Sequence, residues 1–158
     1  MKVEILPATL DHALDLAPRL RAEDAAEVLA SSGRSPFEAL AFAVAYSDEA
    51  SALLFDGEVA CLYGVAAIRE SFLGPPVAWS IWLLGSDALR RHRRTFVRLS
   101  REVVAILRAR YAVLFNFVDA RYVAALRWAE WLGFEVGEPR PYGVAGLPFR
   151  LITLSRGG

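Results

Sequence analysis

The chain holds almost none of the side chains on which metal and redox chemistry depend. Its 158 residues include one cysteine and two histidines. Cys61 alone excludes an intramolecular disulfide and fits a reducing compartment. His12 and His92 lie too far apart in sequence to suggest a metal site. No apolar run reaches the ~18 residues of a membrane span. Residues 1–5 lack the long apolar run of a secretory signal. Hydrophobic residues make up 55% and charged residues 23%, which excludes disorder as the global state. The length suits one domain, residues 1–158, around a single core.

Net charge is zero but unevenly placed. Residues 1–58 carry 4 basic and 11 acidic side chains, and residues 59–158 carry 14 basic and 7 acidic. Residues 90–110 hold 8 arginines against the single Glu102. Such a stretch is either a solvated helix face or a contact for phosphate, nucleic acid or an acidic protein surface.

The pattern along the chain alternates between strand and helix periods. Residues 2–6 read as a short strand ended by Pro7. Thr9 is an N-cap candidate for a helix carrying Leu10, Ala13, Leu14 and Ala17. Residues 21–30 form a second helix. Ser35-Pro36-Phe37-Glu38 has the pieces of a capping box that opens a third. Residues 52–55 and 59–68 flank Asp56-Gly57, a hairpin-turn signal. Residues 77–84 are apolar on both faces and predict a central strand. Residues 93–110 place Phe96, Leu99, Val103, Ile106 and Leu107 on one face of a long helix. A strand over 111–118 and a helix over 121–132 follow, with Gly133 as C-terminal cap. Residues 134–136 and 149–154 close the sheet, with a loop between them. The expectation is an α/β (α+β) domain: a mixed, mostly antiparallel sheet of six or seven strands with helices on both faces.

Few residues suggest chemistry. No Cys-His or Ser-His-Asp arrangement can be assembled, and Cys61 reads as a small core residue. Asp119 follows a strand end, where it is either a ligand group or, the favoured reading, the N-cap of the next helix. Asn116 either satisfies a neighbouring backbone group or faces a cleft. The segment 85–94 joins the central strand to a helix start. Helix starts bind anions, and Arg90, Arg91, Arg93 and Arg94 add cations there. The turn has no glycine after Gly85, although close phosphate cradling favours backbone without Cβ atoms. Four cations at that end oppose the helix dipole, which calls for an anionic partner.

The order of elements and the run Asp119-Ala120-Arg121, helix, Trp131-Leu132-Gly133-Phe134 resemble the GNAT superfamily of acetyl-CoA-dependent N-acetyltransferases. Val3-Glu4-Ile5, Pro7-Ala8-Thr9 and the Asp56-Gly57-Glu58 hairpin are similar too. The resemblance implies a single GNAT-like domain with the acetyl-CoA pyrophosphate on the turn after the fourth strand. In that case Leu84, Arg90, Arg91, Arg93 and Arg94 bind the cofactor. The chain departs from the family at three positions. Residues 89–94 carry no glycine, Ala129 stands where a general-acid tyrosine often lies, and Tyr122 stands where an asparagine usually opens the helix. Tyr122 is the nearest substitute acid.

The chain also resembles the divergent GNAT-like internal virion protein A family of short-tailed bacteriophages. The similarity rests on Trp79, Ser86-Asp87, the Arg-rich helix, Asn116 and the C-terminal run 149–158. It implies a protein made in the host cytoplasm that acts in assembly or within the virion, and the three departures above argue for no cofactor and no conventional acetyl transfer. Arg90, Arg91, Arg93, Arg94 and Arg98 would then bind a virion protein, a second copy of the chain, or DNA. The alternative is an acetyl-CoA-dependent N-acetyltransferase with an atypical pyrophosphate turn.

Overall fold

The computed structural model describes residues 1–157; Gly158, the last residue of the C-terminal run, lies outside the described residues. The first strand, β1, covers Val3–Pro7. Thr9 caps α1 (Leu10–Leu16) through a box in which the His12 side chain accepts from the Thr9 amide. A 3-10 turn at Ala17–Arg19 absorbs Pro18 before α2 (Ala22–Ser32). The Ser35/Glu38 capping box opens α3 (Pro36–Tyr46) as expected. Strands β2 (Glu49–Phe55) and β3 (Glu58–Arg69) form a hairpin whose turn residues Asp56 and Gly57 both have positive φ. The chain continues through β4 (Pro76–Gly85), α4 (Ala88–Arg91), α5 (Arg93–Arg110), β5 (Val113–Asp119) and α6 (Val123–Leu132). It closes with β6 (Glu135–Val136), β7 (Arg140–Tyr142) and β8 (Leu147–Ser155).

The sheet runs β1-β2-β3-β4-β5-β8-β6, with β7 also paired to β8, and its eight strands are one more than the upper expectation. The extra strand is β7, which lies in the segment read as loop. Its proline, Pro141, sits on a short edge strand where a missing donor is tolerated. Among the described residues only β4 and β5 pair in parallel; α4 and α5 make the crossover between them.

Helices cover both faces. On one, α1 and α3 bury Leu16 and Leu40 against Leu54, Leu62 and Leu84, with Trp82 packed at the edge. On the other, α5 and α6 bury Val104, Leu107 and Leu126 against Val65, Leu114 and Ile152, with Trp79 packed against them. Trp79 and Trp82 thus serve opposite faces, as alternation requires. Gly133, at φ 104, ends α6 in the left-handed region.

Gly64 of β3 pairs with Ala50 of β2. A Cβ there would overlap the Glu49 carbonyl oxygen. Gly64→Ala is therefore expected to destabilise by roughly 1–3 kcal/mol, the cost of overpacking a rigid site. The measurement is the urea unfolding midpoint; an unchanged midpoint would show that β2 shifts freely.

Candidate functional site

Strands β4 and β5 hydrogen-bond only at Trp79 with Leu114 and Ser80 with Phe115. Beyond that they diverge. The outer edge of β4 stays paired with β3 from Pro76 to Gly85, and that of β5 stays paired with β8 from Val113 to Asp119. The inner backbone edges of residues 81–84 therefore face no strand. β4 is central in the sheet, yet residues 78–83 are only half-buried. The space beside them is a cavity of about 800 Å³ beneath α5 and α6. Ile81, Phe96, Val118 and Trp128 line it, and Ala129 leaves the wall without a hydroxyl at its place. The Trp128 indole donates to Ser100 Oγ at 3.1 Å, which fixes the ring against α5.

Helix α2 spans the open end of the wedge. Asp24 Oδ2 accepts from the Gly85 amide at 2.9 Å, and the Arg21 amide donates to the Gly85 carbonyl at 2.8 Å. Glu27, one turn on and on the same helix face, accepts from the Asp119 amide at 3.2 Å. The last residues of both diverging strands are thus tied to one helix. Arg21 also pairs with Asp24 at 2.8 Å, and its guanidinium lies 5.9 Å from the Tyr122 ring centre. The far end of α2 is held by the β7–β8 loop, whose Val144 and Ala145 amides donate to Ser31 and Ala30.

Burial dominates the electrostatics. It raises the Glu27 carboxyl from 4.5 to about 7, with the Asp119 amide opposing and Asp24 and Asp119 adding repulsion. Burial raises Asp24 as well, against the pull of Arg21. It also raises the Tyr122 phenol, which the nearby Asp24 charge pushes further up. Tyr122 is therefore held protonated. The Cys61 thiol is buried and pushed up to about 12, which removes it as a nucleophile.

Asp119 is not a helix cap. Tyr122 occupies the N-cap position with no side-chain bond, and the Asp119 carboxylate accepts from the Arg121 amide and guanidinium. The Asn116 side chain lines the cavity while its Oδ1 accepts from the Phe117 amide at 2.8 Å. Among the described residues no three His, Cys, Asp or Glu side chains form a metal cluster.

The arginines divide into two groups. Arg90 pairs with Glu23 at 2.6 Å and Asp87 at 2.7 Å, and Arg91 pairs with Glu58 at 3.1 Å. Their charges are answered within the chain, so these two no longer call for an outside anion. Arg93, Arg94 and Arg98 have no carboxylate partner among the described residues. Leu84 and Leu89 are buried core residues. The amides of the turn are also spent. Ala88 and Leu89 donate to Ser86, and Arg90 and Arg91 to the Asp87 carbonyl. The first amide of the long helix that bonds back is Phe96, to His92. The amides of residues 93–95 open α5 ahead of its ladder, so the anion-attracting end is there rather than in the turn.

Sequence reasoning singled out Tyr122 and the arginines but missed Arg21, Asp24 and Glu27. On an acidic helix they carry no local signal, because the groups they hold lie 61 and 92 positions away.

The sequence matches no protein-family model, and no curated protein is significantly similar to it. Solved structures do match. An acetyltransferase of GNAT family from Streptococcus pneumoniae aligns with TM-score 0.64 at 15% identity, over 98% of this chain and 99% of that one. The ribosomal-protein-S18-alanine N-acetyltransferase from Escherichia coli gives 0.66 at 18% identity, over 98% and 94%. The aminoglycoside acetyltransferase AAC(6')-Ib in complex with coenzyme A gives 0.70 at 16%, over 99% and 96%. The chain has the GNAT acetyltransferase fold.

The Glu27 carboxyl binds its proton more tightly in the folded than in the unfolded chain. Between pH 4.5 and about 7 the folded state holds the extra proton, so stability falls as pH rises through that window. Integrated, the fall approaches roughly 3 kcal/mol. Glu27→Gln keeps an acceptor for the Asp119 amide and cannot ionise. The variant is expected to match the parent at the acid end of the window and to exceed it above pH 7 in urea unfolding. Parallel curves for the two proteins would show that Glu27 is ionised throughout.

Proposed function

We propose that the chain is an N-acyltransferase that takes an acyl group from a CoA thioester to an amine. The observation that carries this reading is the wedge between β4 and β5, with Glu27 and Tyr122 on its walls. The residues present fit a CoA thioester. The unpaired inner edge of β4 at 81–84 offers hydrogen-bond groups to an amide-bearing arm. The open amides of α5, with Arg93 and Arg94, suit a pyrophosphate. The internally paired Arg90 and Arg91 do not contribute.

An acyl-CoA supplies an activated acyl carbon; in the transfer a C–S bond breaks, a C–N bond forms, and the amine's proton ends on the thiol. Glu27, whose pKa is about 7, accepts the proton from the acceptor ammonium. Tyr122, kept protonated by burial, holds a proton for the leaving sulfur. Ala129 cannot take that role.

Calorimetric titration with acetyl-CoA is the first test; absence of binding by both acetyl-CoA and CoA sinks the reading. Arg93→Ala with Arg94→Ala is expected to weaken binding about ten-fold or more, the scale of lost charge-assisted bonds. Arg91→Ala is expected to leave it unchanged. In a thiol-release assay over a panel of primary amines, Glu27→Gln and Tyr122→Phe are each expected to lower turnover by roughly 100-fold. Glu27→Gln should also remove the rise of rate through pH 7.

The second reading is a non-catalytic assembly protein of a phage particle, binding a virion component through Arg93, Arg94 and Arg98. The spent turn amides and Ala129 favour it. It requires that CoA thioesters fail to bind and that the Arg93/Arg94 double variant fails to enter particles.

A further inference from the structure

The face of the sheet turned away from α5 and α6 is lined with aromatic rings where β4 and β5 part. On β5, Leu114 and Val118 join the core beneath α5 and α6 and are buried. Phe115 and Phe117 alternate to the other face and stay only half-buried, although β5 lies between β4 and β8. Ser80 with Phe115 is the last rung between β4 and β5. One alternation further on that face come Trp82 and Phe117, one on each side of the parting. Three contacts set these rings. The Trp82 indole donates to Ser47 Oγ at 2.8 Å. The Trp82 ring lies over Gly64, where an added Cβ would come within 3.0 Å of Cζ2. Phe117 stacks on Tyr142 of β7, with ring centres 4.1 Å apart and planes 11° from parallel. Tyr142 remains 38% exposed.

The row Phe115, Phe117, Asp119 leads to the Asp119 amide, which donates to Glu27. Asp119 is one alternation, about 7 Å, along the strand from Phe117. Trp82 and Glu27 line the same cavity. Asp24 pairs with Arg21 and Asp119 with Arg121, so Glu27 is the carboxylate at the parting without an ion pair among the described residues. Next to Phe115 and Phe117 on the same face stand Thr153 and Leu151 of β8, neither of them charged. The charged residues in register with this face, Glu135 of β6 and Arg140 of β7, lie beyond β8 and are of opposite sign.

We infer that the acyl acceptor is a small arylalkylamine, with its ammonium at Glu27 and its ring between Trp82 and the Phe117–Tyr142 stack. The inference rests on the acyltransferase reading above and names its acceptor. Aromatic faces bury a flat apolar body well, and their quadrupoles attract the ammonium it carries. A diamine would bring a second ammonium to a face that has no carboxylate for it. The bound ammonium gives one proton to Glu27. The C–N bond then forms as the C–S bond breaks, and a second N–H proton ends on the thiol.

A thiol-release assay of the full chain with acetyl-CoA tests the inference on four acceptors: 2-phenylethylamine, butylamine, 1,4-diaminobutane and a tripeptide that begins with phenylalanine. The kcat/KM for 2-phenylethylamine is expected to exceed that for butylamine about ten-fold, with the diamine lowest. Tyr142→Ala is expected to raise KM for 2-phenylethylamine about ten-fold while kcat and acetyl-CoA affinity hold, and Tyr142→Phe to restore it. Phe117→Leu keeps apolar volume without a ring face and serves should the first variant unfold, which thermal melts report. Equal kcat/KM for 2-phenylethylamine and butylamine, preference for the diamine, or an unchanged KM in the ring variants overturns the acceptor inference and leaves the acyltransferase reading standing. Preference for the tripeptide assigns the face to a polypeptide N-terminus and overturns the small-amine inference. Bound acetyl-CoA with no thiol released to any of the four overturns the acceptor inference while the donor site stands. Failure of both acetyl-CoA and CoA to bind in calorimetry overturns both readings.

Discussion

Two carboxylates on one helix hold the centre of this molecule open. Strands β4 and β5 run parallel and part after two residue pairs, which leaves backbone groups at their inner edges with no strand to bond. Asp24 and Glu27 take the amides at the two strand ends, Gly85 and Asp119. The position of α2 is itself fixed at both ends, by the Arg21–Gly85 backbone bond and by the β7–β8 loop. The wedge therefore has a set width, and the cavity and the placement of Glu27 and Tyr122 follow from it.

That arrangement is costly. Burying a carboxylate without a full ion pair raises its pKa, and Glu27 has only an amide as its direct partner. Asp24 has Arg21 as well as the Gly85 amide. The difference separates their roles. Asp24 is a tie backed by a cation, whereas Glu27 is a tie whose proton is loosely held near neutral pH. A carboxyl in that state exchanges its proton near neutral pH, and it is the less stable member of the pair for the same reason.

The uneven charge of the two chain halves is answered largely within the fold. Glu23 pairs with Arg90, Glu58 with Arg91, and Glu49 with Arg110, in each case an acid of the first half with an arginine of the second. These are half-exposed pairs, each worth at most about 1 kcal/mol. Their consequence is more informative than their energy. They remove Arg90 and Arg91 from the pool of free cations and leave Arg93, Arg94 and Arg98 at the start and along the outside of α5. Arg101 stacks over the half-exposed Trp131 at 5.3 Å, which accounts for one more arginine of the basic helix.

The sequence by itself determined whatever depends on neighbours within about ten residues. The Asp56-Gly57 turn needs two positive φ angles, the Ser35/Glu38 and Thr9 caps close over three residues, and Gly133 ends α6 in a left-handed conformation. The 18-residue span of α5 followed from its periodicity, and the central place of β4 from apolar residues on both faces. β7 escaped notice because three residues around a proline have no readable period. Tertiary structure alone decided which charged groups meet. Whether Arg90 meets Glu23 or solvent, and whether Glu27 is a solvated surface acid or a tie to the Asp119 amide, depends on elements far apart in the chain. Those outcomes are set by desolvation and by charges brought together only when α2 is laid across the ends of β4 and β5.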